Sequence, residues 1–413
     1  MSNDDFDFQV TTADTNQSIL YSDKTFESIG LHPNLVKGAY SMHFSIPSKI
    51  QAEAIPHLLH DPPRNLIAQA KNGTGKSVAY ILAMLQRTDE TKHCPQALCI
   101  LPTRELARQV YEVATSLAKF TSINLSLVLR DTPNRRMEIH DHIVIGTAGS
   151  VRDSVLRKRI GVDQLKMLVL DEADQMLDME GFRSDAMRIK RETKMPTTQF
   201  VLFSATYPHR VRDFALTFAP DANTILMREE ELALENVAQF YLDCDDVYQK
   251  YEAVCDIYGL LTVSQSVIFC KTRASADTMA ARMTEQGHNV RCLHGGMDPG
   301  ARDKMMDDFR NGEFKVLVAT NMIARGIDIS QVSMVVNYDL PIDQDGNPDV
   351  EAYLHRVGRT GRFGRKGVSV NLIHDRQSWE EMTFIERHFQ IRMNRIPPND
   401  LEEAEKIIKD HLR

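Results

Sequence analysis

The sequence predicts an α/β protein built as two tandem units, each a parallel sheet covered by helices on both faces. Three observations carry this. Short runs that are apolar throughout recur along the chain, a helical stretch follows most of them, and the alternation breaks once at a charged segment before it resumes. A strand buried on both faces reads as a continuous apolar run, and a parallel neighbour needs a helix-length crossover.

Taken in order, residues 1–20 hold Asp4, Asp5, Asp7 and Asp14 but no Lys or Arg, and are expected to form a mobile acidic tail. The first unit is expected over residues 21–227. Its predicted strands are 65–69, 97–101, 143–145, 166–170 and 199–203, with helical periodicity over 104–117 and 208–218. Residues 228–236 (REEELALEN) break the pattern and read as a linker. The second unit, 237–413, has predicted strands at 266–270, 290–293, 315–319 and 332–337, and helices from Arg273 and over 300–309. A single sheet spanning all 413 residues is the weaker alternative.

Composition removes several function classes. The 49 Lys and Arg against 57 Asp and Glu leave a net charge of −8, which argues against a binder that relies on bulk positive charge. Local patches and backbone amides can still contact phosphates. The apolar runs are strand-sized, far below the ~20 residues of a membrane span, and no membrane insertion is expected. The six cysteines include no C-x-x-C pair, so free thiols of a soluble intracellular protein are expected.

The chemistry begins after strand 65–69, where residues 70–77 read A-K-N-G-T-G-K-S and a helix follows from about Val78. Gly73 and Gly75, with Thr74 between them, allow backbone N–H groups to surround phosphate oxygens at a helix N-terminus. Lys76 is placed for the β- and γ-phosphates and the Ser77 hydroxyl for Mg2+. Strand 166–170 ends in Asp171-Glu172-Ala173-Asp174. There Asp171 is expected to hold Mg2+ through its water shell, and Glu172 to orient or deprotonate the attacking water.

These four residues spell D-E-A-D, and from about Thr25 to Gln390 the chain resembles the DEAD-box RNA helicases. The resemblance implies two RecA-like domains and an RNA-stimulated ATPase that uses ATP and Mg2+. Phe26, seventeen residues before His43, and the run His43 to Gln51 resemble the adenine-recognising motif. In it Gln51 pairs with the base edge, as an amide with one donor and one acceptor group can, and Phe26 packs on the ring. Pro102-Thr103-Arg104 and Thr147 with Gly149 match RNA-contact motifs. Two departures stand out. Ala148 and Ser150 replace the usual Pro and Arg, and residues 124–136 carry no Gly-Gly doublet. Ser204-Ala205-Thr206 resembles the segment that links hydrolysis to strand separation, its hydroxyls in reach of the D-E-A-D carboxylates.

In the second half, Thr320 and Asn321 are implied RNA contacts, Gly326 a phosphate contact and Asp328 a ribose contact. Arg273, His294, Gly295 and Arg302 look like further contacts to the RNA backbone. The run His355-Arg356-Val357-Gly358-Arg359-Thr360-Gly361-Arg362 is the most diagnostic motif, with Arg359 and Arg362 in the role of arginine fingers and His355 in coupling. The ATP-binding motifs and the arginines belong to different units, so hydrolysis is expected to require closure about the linker, with ATP and RNA tightening each other's binding. Few base-edge readers are evident, so single-stranded RNA or short duplexes are expected without strong sequence preference.

The long connection over 337–349, the linker and Arg362-Phe363-Gly364-Arg365 resemble the subfamily that remodels messenger ribonucleoprotein at the cytoplasmic face of the nuclear pore. That implies a monomer of cytoplasm and nucleus, with a nuclear-pore filament protein and an export-factor activator as partners. A translation-initiation-type helicase is the runner-up. A catalytically silent RNA clamp, or more remotely a small-molecule P-loop kinase, is the rival of a different class.

Overall fold

The computed structural model describes residues 22–70, 73–131, 137–177, 179, 181–193, 195–226, 237–260, 265–320, 332–343, 345–361, 366–397 and 401–412. The chain divides into two compact units, Met1–Leu232 and Ala233–Arg413. The acidic tail and the linker predicted at 228–236 lie outside the described residues.

The first unit holds β1 (Leu66–Gln69), β2 (Ala97–Leu101), β3 (Leu125–Val128), β4 (Ile143–Thr147), β5 (Met167–Leu170), β6 (Gln199–Ser204) and β7 (Asn223–Ile225). They form one sheet in the order β3-β4-β2-β5-β6-β1-β7, and every pairing in it is parallel. Successive residues of a strand feed opposite faces. Leu66, Ala68, Cys99 and Leu101 join one buried cluster, while Ile67, Leu98 and Ile100 join the other. Helices Pro33–Ser41, Lys49–Leu59, Lys76–Arg87 and Arg104–Leu117 supply the first cluster. Helices Ala148–Leu156, Phe182–Glu192 and His209–Phe218 supply the second.

The second unit repeats the plan with β8 (Val237–Asp243), β9 (Gln265–Cys270), β10 (Val290–Leu293), β11 (Val316–Thr320), β12 (Val332–Asn337), β13 (Gly367–Ile373) and β14 (Asn394–Ile396). Its order is β10-β11-β9-β12-β13-β8-β14, again parallel throughout. Five of these fourteen strands, β3, β7, β8, β13 and β14, were absent from the sequence prediction, and β4 runs two residues further than predicted. Edge strands such as β3, with three of its four residues half-buried, present no continuous apolar run. The interior strand β13 is wholly buried but carries Ser369 and Asn371, which interrupt the apolar signal.

The six cysteines are free thiols, four of them buried. Among the described residues no helix is long and apolar enough to cross a membrane.

Candidate functional site

In an open parallel sheet the ligand-bearing loops lie beyond the carboxyl ends of the strands. In the first unit β5, β6 and β1 are neighbours, and the segments that leave them are the D-E-A-D turn, Ser204-Ala205-Thr206 and the phosphate loop. Lys71 and Asn72 of that loop lie outside the described residues. Gly73 and Gly75 have φ of +79° and +94°, a region side chains disfavour. Gly75 is the residue before the helix, which starts at Lys76, two positions earlier than its sequence suggested. Lys76 and Ser77 therefore occupy the first turn, where backbone N–H groups have no partner within the helix.

Gly75 is required twice over, because a Cβ there would lie 2.3 Å from Gln51 Nε2. Gln51 is held by its own helix. Ser48 Oγ accepts from the Gln51 N–H, and Gln51 Oε1 accepts from the Ser48 N–H at 2.9 Å, a capping box. Gln51 Nε2 also donates to the Gly75 carbonyl at 3.2 Å. Each end of the amide keeps capacity for one further bond, which is what reading an adenine edge requires. Phe26 does not fit its expected role. It is fully buried in the core and packs edge-on against Tyr40, so it has no face to offer a base.

Asp171 is 2% exposed and receives three donors. They are Tyr80 Oη to Oδ2 at 2.8 Å, Ser77 Oγ to Oδ2 at 3.3 Å, and the Glu172 N–H to Oδ1 at 2.8 Å. Burial pushes its carboxyl up to about 6, with the Lys76 ammonium pulling down and the Glu172 carboxylate pushing up. Tyr80 was not foreseen. It lies one turn beyond Ser77 on the same helix face, but a tyrosine in an apolar stripe reads as core. Glu172 sits at φ +57°, a left-handed conformation uncommon for a non-glycine residue and concentrated at functional sites.

Asp174 is fully buried, and Thr206 donates to its Oδ2 twice, from N–H at 2.9 Å and from Oγ1 at 2.8 Å. Ser204 departs from expectation. Its Oγ accepts from the Asp174 backbone N–H at 3.2 Å instead of donating to a carboxylate.

The other end of this edge carries the predicted RNA contacts. β2 and β4 are paired, with Leu101 opposite Thr147, so Pro102-Thr103-Arg104 and Thr147 to Gly149 emerge side by side. Thr103 caps the helix Arg104–Leu117 by accepting from the Leu106 N–H at 3.2 Å, while Thr147 Oγ1 donates to Ser150 Oγ at 3.1 Å. Pro102 is buried, and Gly149 has open space where a Cβ would stand. Arg104 does not stand open to solvent. Nη1 and Nη2 donate to Asp131 Oδ1 and Oδ2 at 3.1 and 2.9 Å.

In the second unit β10, β11 and β9 are adjacent, so His294, Thr320 and Arg273 share one edge. The His294 ring accepts from the Gly296 N–H at Nδ1, 3.1 Å, which puts its proton on Nε2 facing Asp277 at 3.1 Å. Cys292 stands with this pair, the ligand atoms of the three side chains lying within 4.8 Å of one another. A Cβ on Gly296 would lie 3.4 Å from an Arg273 Nη, so the His294-Gly295-Gly296 turn and Arg273 are in close company. Arg302 is half-buried on the helix Pro299–Arg310.

His355 and Arg359 are 1% and 5% exposed, and Arg359 Nε donates to the His355 carbonyl at 2.9 Å. Arg356, to which the sequence assigned no role, is the anchor of this motif. It donates to Asn337 Oδ1 at 2.9 Å and the Asp339 carbonyl at 2.6 Å, with its guanidinium 5.0 Å from the Phe269 ring centre. Asn321, Gly326, Asp328 and Arg362 lie outside the described residues.

Comparison with known proteins agrees with this division. The DEAD/DEAH box helicase model matches residues 48–214, and the helicase conserved C-terminal domain matches 249–364. The ATP-dependent RNA helicase dbp5 of Schizosaccharomyces pombe is 50% identical over 401 residues, covering 97% of this chain and 79% of the relative. The structure is similar to S. cerevisiae Dbp5 bound to RNA and ADP BeF3, with a TM-score of 0.91 and 44% identity over 94% of this chain and all of that one. It is also similar to a variant of that protein bound to Nup159, a Gle1 variant, IP6 and ADP, with a TM-score of 0.70 and 43% identity over 93% of this chain and all of that one. With both domain models in sequence and 50% identity over 401 residues to an ATP-dependent RNA helicase, the chain belongs to the DEAD-box family of ATP-dependent RNA helicases.

Proposed function

We propose that this chain uses ATP hydrolysis to separate short RNA duplexes or to strip protein from messenger RNA during export, at the cytoplasmic face of the nuclear pore. The observation that carries the reading is the Thr206–Asp174 pair, which ties the D-E-A-D turn to the end of β6. The likeness to a Dbp5 that binds Nup159 and Gle1 supports export over translation initiation. By the same likeness, a nuclear-pore filament protein and an export-factor activator are its proposed partners.

In the proposed site, Gly73, Thr74, Gly75 and Lys76 hold the phosphates and Gln51 reads adenine. Glu172 orients the attacking water and takes its proton. Arg359 and Arg362 are proposed to stabilise the charge that grows on the transferring phosphoryl group. Mg2+ fits the donors present, because the Ser77 hydroxyl and two buried carboxylates, Asp171 and Glu172, offer hard oxygen ligands. Ser77 would hold it directly and Asp171 through water, and the ion would neutralise charge on the phosphate oxygens. Pro102, Thr103, Arg104, Thr147 and Gly149, with Arg273, His294, Gly295, Arg302, Thr320 and Asn321, are proposed to follow the RNA backbone.

The test is ATP hydrolysis with and without RNA. Wild-type protein should be stimulated by RNA, and Lys76→Ala should abolish the activity. Hydrolysis that survives Lys76→Ala would reject the phosphate-loop assignment. Pull-down with Nup159 and Gle1 decides the export reading separately.

A further inference from the structure

Arg104 opens the helix that follows β2, and both of its terminal nitrogens are engaged by a single carboxylate. The distances to Asp131, 3.1 and 2.9 Å, describe a parallel two-pronged pair. The burial of the pair is lopsided. The Arg104 side chain is 14% exposed and that of Asp131 57% exposed, so the anion caps the guanidinium from the solvent side. A guanidinium fork accepts two carboxylate oxygens and two phosphate oxygens with the same geometry. Asp131 follows β3, whose neighbour β4 delivers Thr147, and β4 in turn pairs with β2, which delivers Arg104. The carboxylate thus stands on the edge where the RNA backbone is proposed to run, in the stretch where the family's Gly-Gly doublet is missing.

We propose that Asp131 is a resident phosphate mimic. It occupies the phosphate seat on Arg104 in the RNA-free protein, and an RNA phosphate must displace it. The inference rests on the reading of Arg104 as an RNA contact. The carboxylate is the exposed partner, so an incoming phosphate can reach it, and because the phosphate takes over the same two donors the net penalty on RNA affinity is modest. The displaced carboxylate takes up a cation that the incoming phosphate gives off, which flattens the salt dependence of binding. Asp131 thereby works as a local brake on RNA binding in a protein whose net charge is already −8.

The experiment is anisotropy titration of a fluorescein-labelled oligouridine, over a range of salt, with the full-length chain and a non-hydrolysable ATP analogue. The proteins are wild type, Asp131→Asn, Arg104→Ala and the double variant, each checked by thermal melting. Asp131→Asn, which keeps shape and loses charge, should bind RNA about two- to fivefold more tightly, a modest gain because phosphate replaces the carboxylate on the same donors. Its plot of log K against log salt should steepen by up to about one unit. Arg104→Ala should bind more weakly, and adding Asp131→Asn to it should then have no effect.

Weaker or unchanged binding by Asp131→Asn would overturn the proposal, as would an equal gain in the Arg104→Ala background, which would mark a through-space charge effect. If Arg104→Ala binds like wild type, the reading of Arg104 as an RNA contact fails and the inference with it. Loss that appears in Arg104→Ala without gain in Asp131→Asn rejects the inference alone.

Discussion

The Tyr80 hydroxyl donates to Asp171 Oδ2 at 2.8 Å, with the tyrosine wholly buried and the carboxylate 2% exposed. Burial and the Asp171 charge both hold the phenol well above its usual range, so it stays a donor at any working pH. The D-E-A-D carboxylate is therefore fixed from the helix that begins in the phosphate loop. Tyr80→Phe keeps the ring and removes the donor, leaving no cavity to confuse the result. A hydrogen bond to a charged group contributes about 1.5–3 kcal/mol, and a loss of that order is expected in denaturant unfolding. RNA-stimulated hydrolysis should fall as well, because Asp171 loses the contact that sets its rotamer. An unchanged melt and rate would show that Ser77 and the Glu172 N–H suffice.

Thr206 holds Asp174 through both its backbone and its hydroxyl, and the two bonds can be separated. Thr206→Val is nearly isosteric and leaves the backbone bond in place. RNA-stimulated hydrolysis should persist, while duplex separation per ATP falls about five- to tenfold, the lower part of the usual range of coupling energies. A stopped ATPase would instead place Thr206 in the chemical step. Parallel loss of neither activity would detach the Ser204-Ala205-Thr206 segment from coupling.

Much of this site was legible in the sequence because backbone requirements leave local traces. The phosphate loop needs glycines at positive φ, as found at Gly73 and Gly75, and a carboxylate at a strand end announces itself after an apolar run. The predicted strands 97–101, 290–293 and 332–337 have the observed limits, as does the helix 104–117. What stayed hidden were partnerships across the sheet. Nothing near Arg104 in the sequence signals Asp131, which comes 27 residues later on another strand's exit. Phe26 failed for the converse reason. An aromatic at a motif spacing looks the same whether it faces a ligand or the core, and the packing of Tyr40 against it decides for the core.

Glu172 combines a left-handed backbone with a carboxylate beside that of Asp171. A non-glycine residue in that region costs roughly 1–2 kcal/mol, and the neighbouring charge adds to it. Glu172→Gly should remove both and raise the melting temperature while abolishing hydrolysis. Glu172→Gln should also abolish hydrolysis, but it keeps the backbone conformation, so its gain in stability should be smaller. If both variants melt like wild type, the turn stores no strain worth measuring. Retained hydrolysis in the glutamine variant would take Glu172 out of the role of water activator.

Arg356 makes a different claim on the motif that contains it. Its contacts to Asn337, the Asp339 carbonyl and Phe269 are all within the second unit. Asn337 Nδ2 continues to Asn371 Oδ1 at 2.8 Å, and Asn371 reaches the Tyr353 hydroxyl at 3.2 Å, so the guanidinium is joined to a buried polar chain across β12 and β13. Arg356→Lys keeps the charge but cannot donate to two acceptors and lie flat on a ring together. Breaking a buried charged network costs on the order of 3–5 kcal/mol, and a loss of that size should appear in denaturant unfolding. Nucleotide binding should persist, because the phosphate loop and Gln51 belong to the other unit. Activity would fall in this variant whether Arg356 supports the fold or touches the phosphates, so the stability measurement is what separates the two. A fully stable Arg356→Lys protein without hydrolysis would make Arg356 a catalytic group and overturn its assignment as the anchor of the helix Val350–Val357.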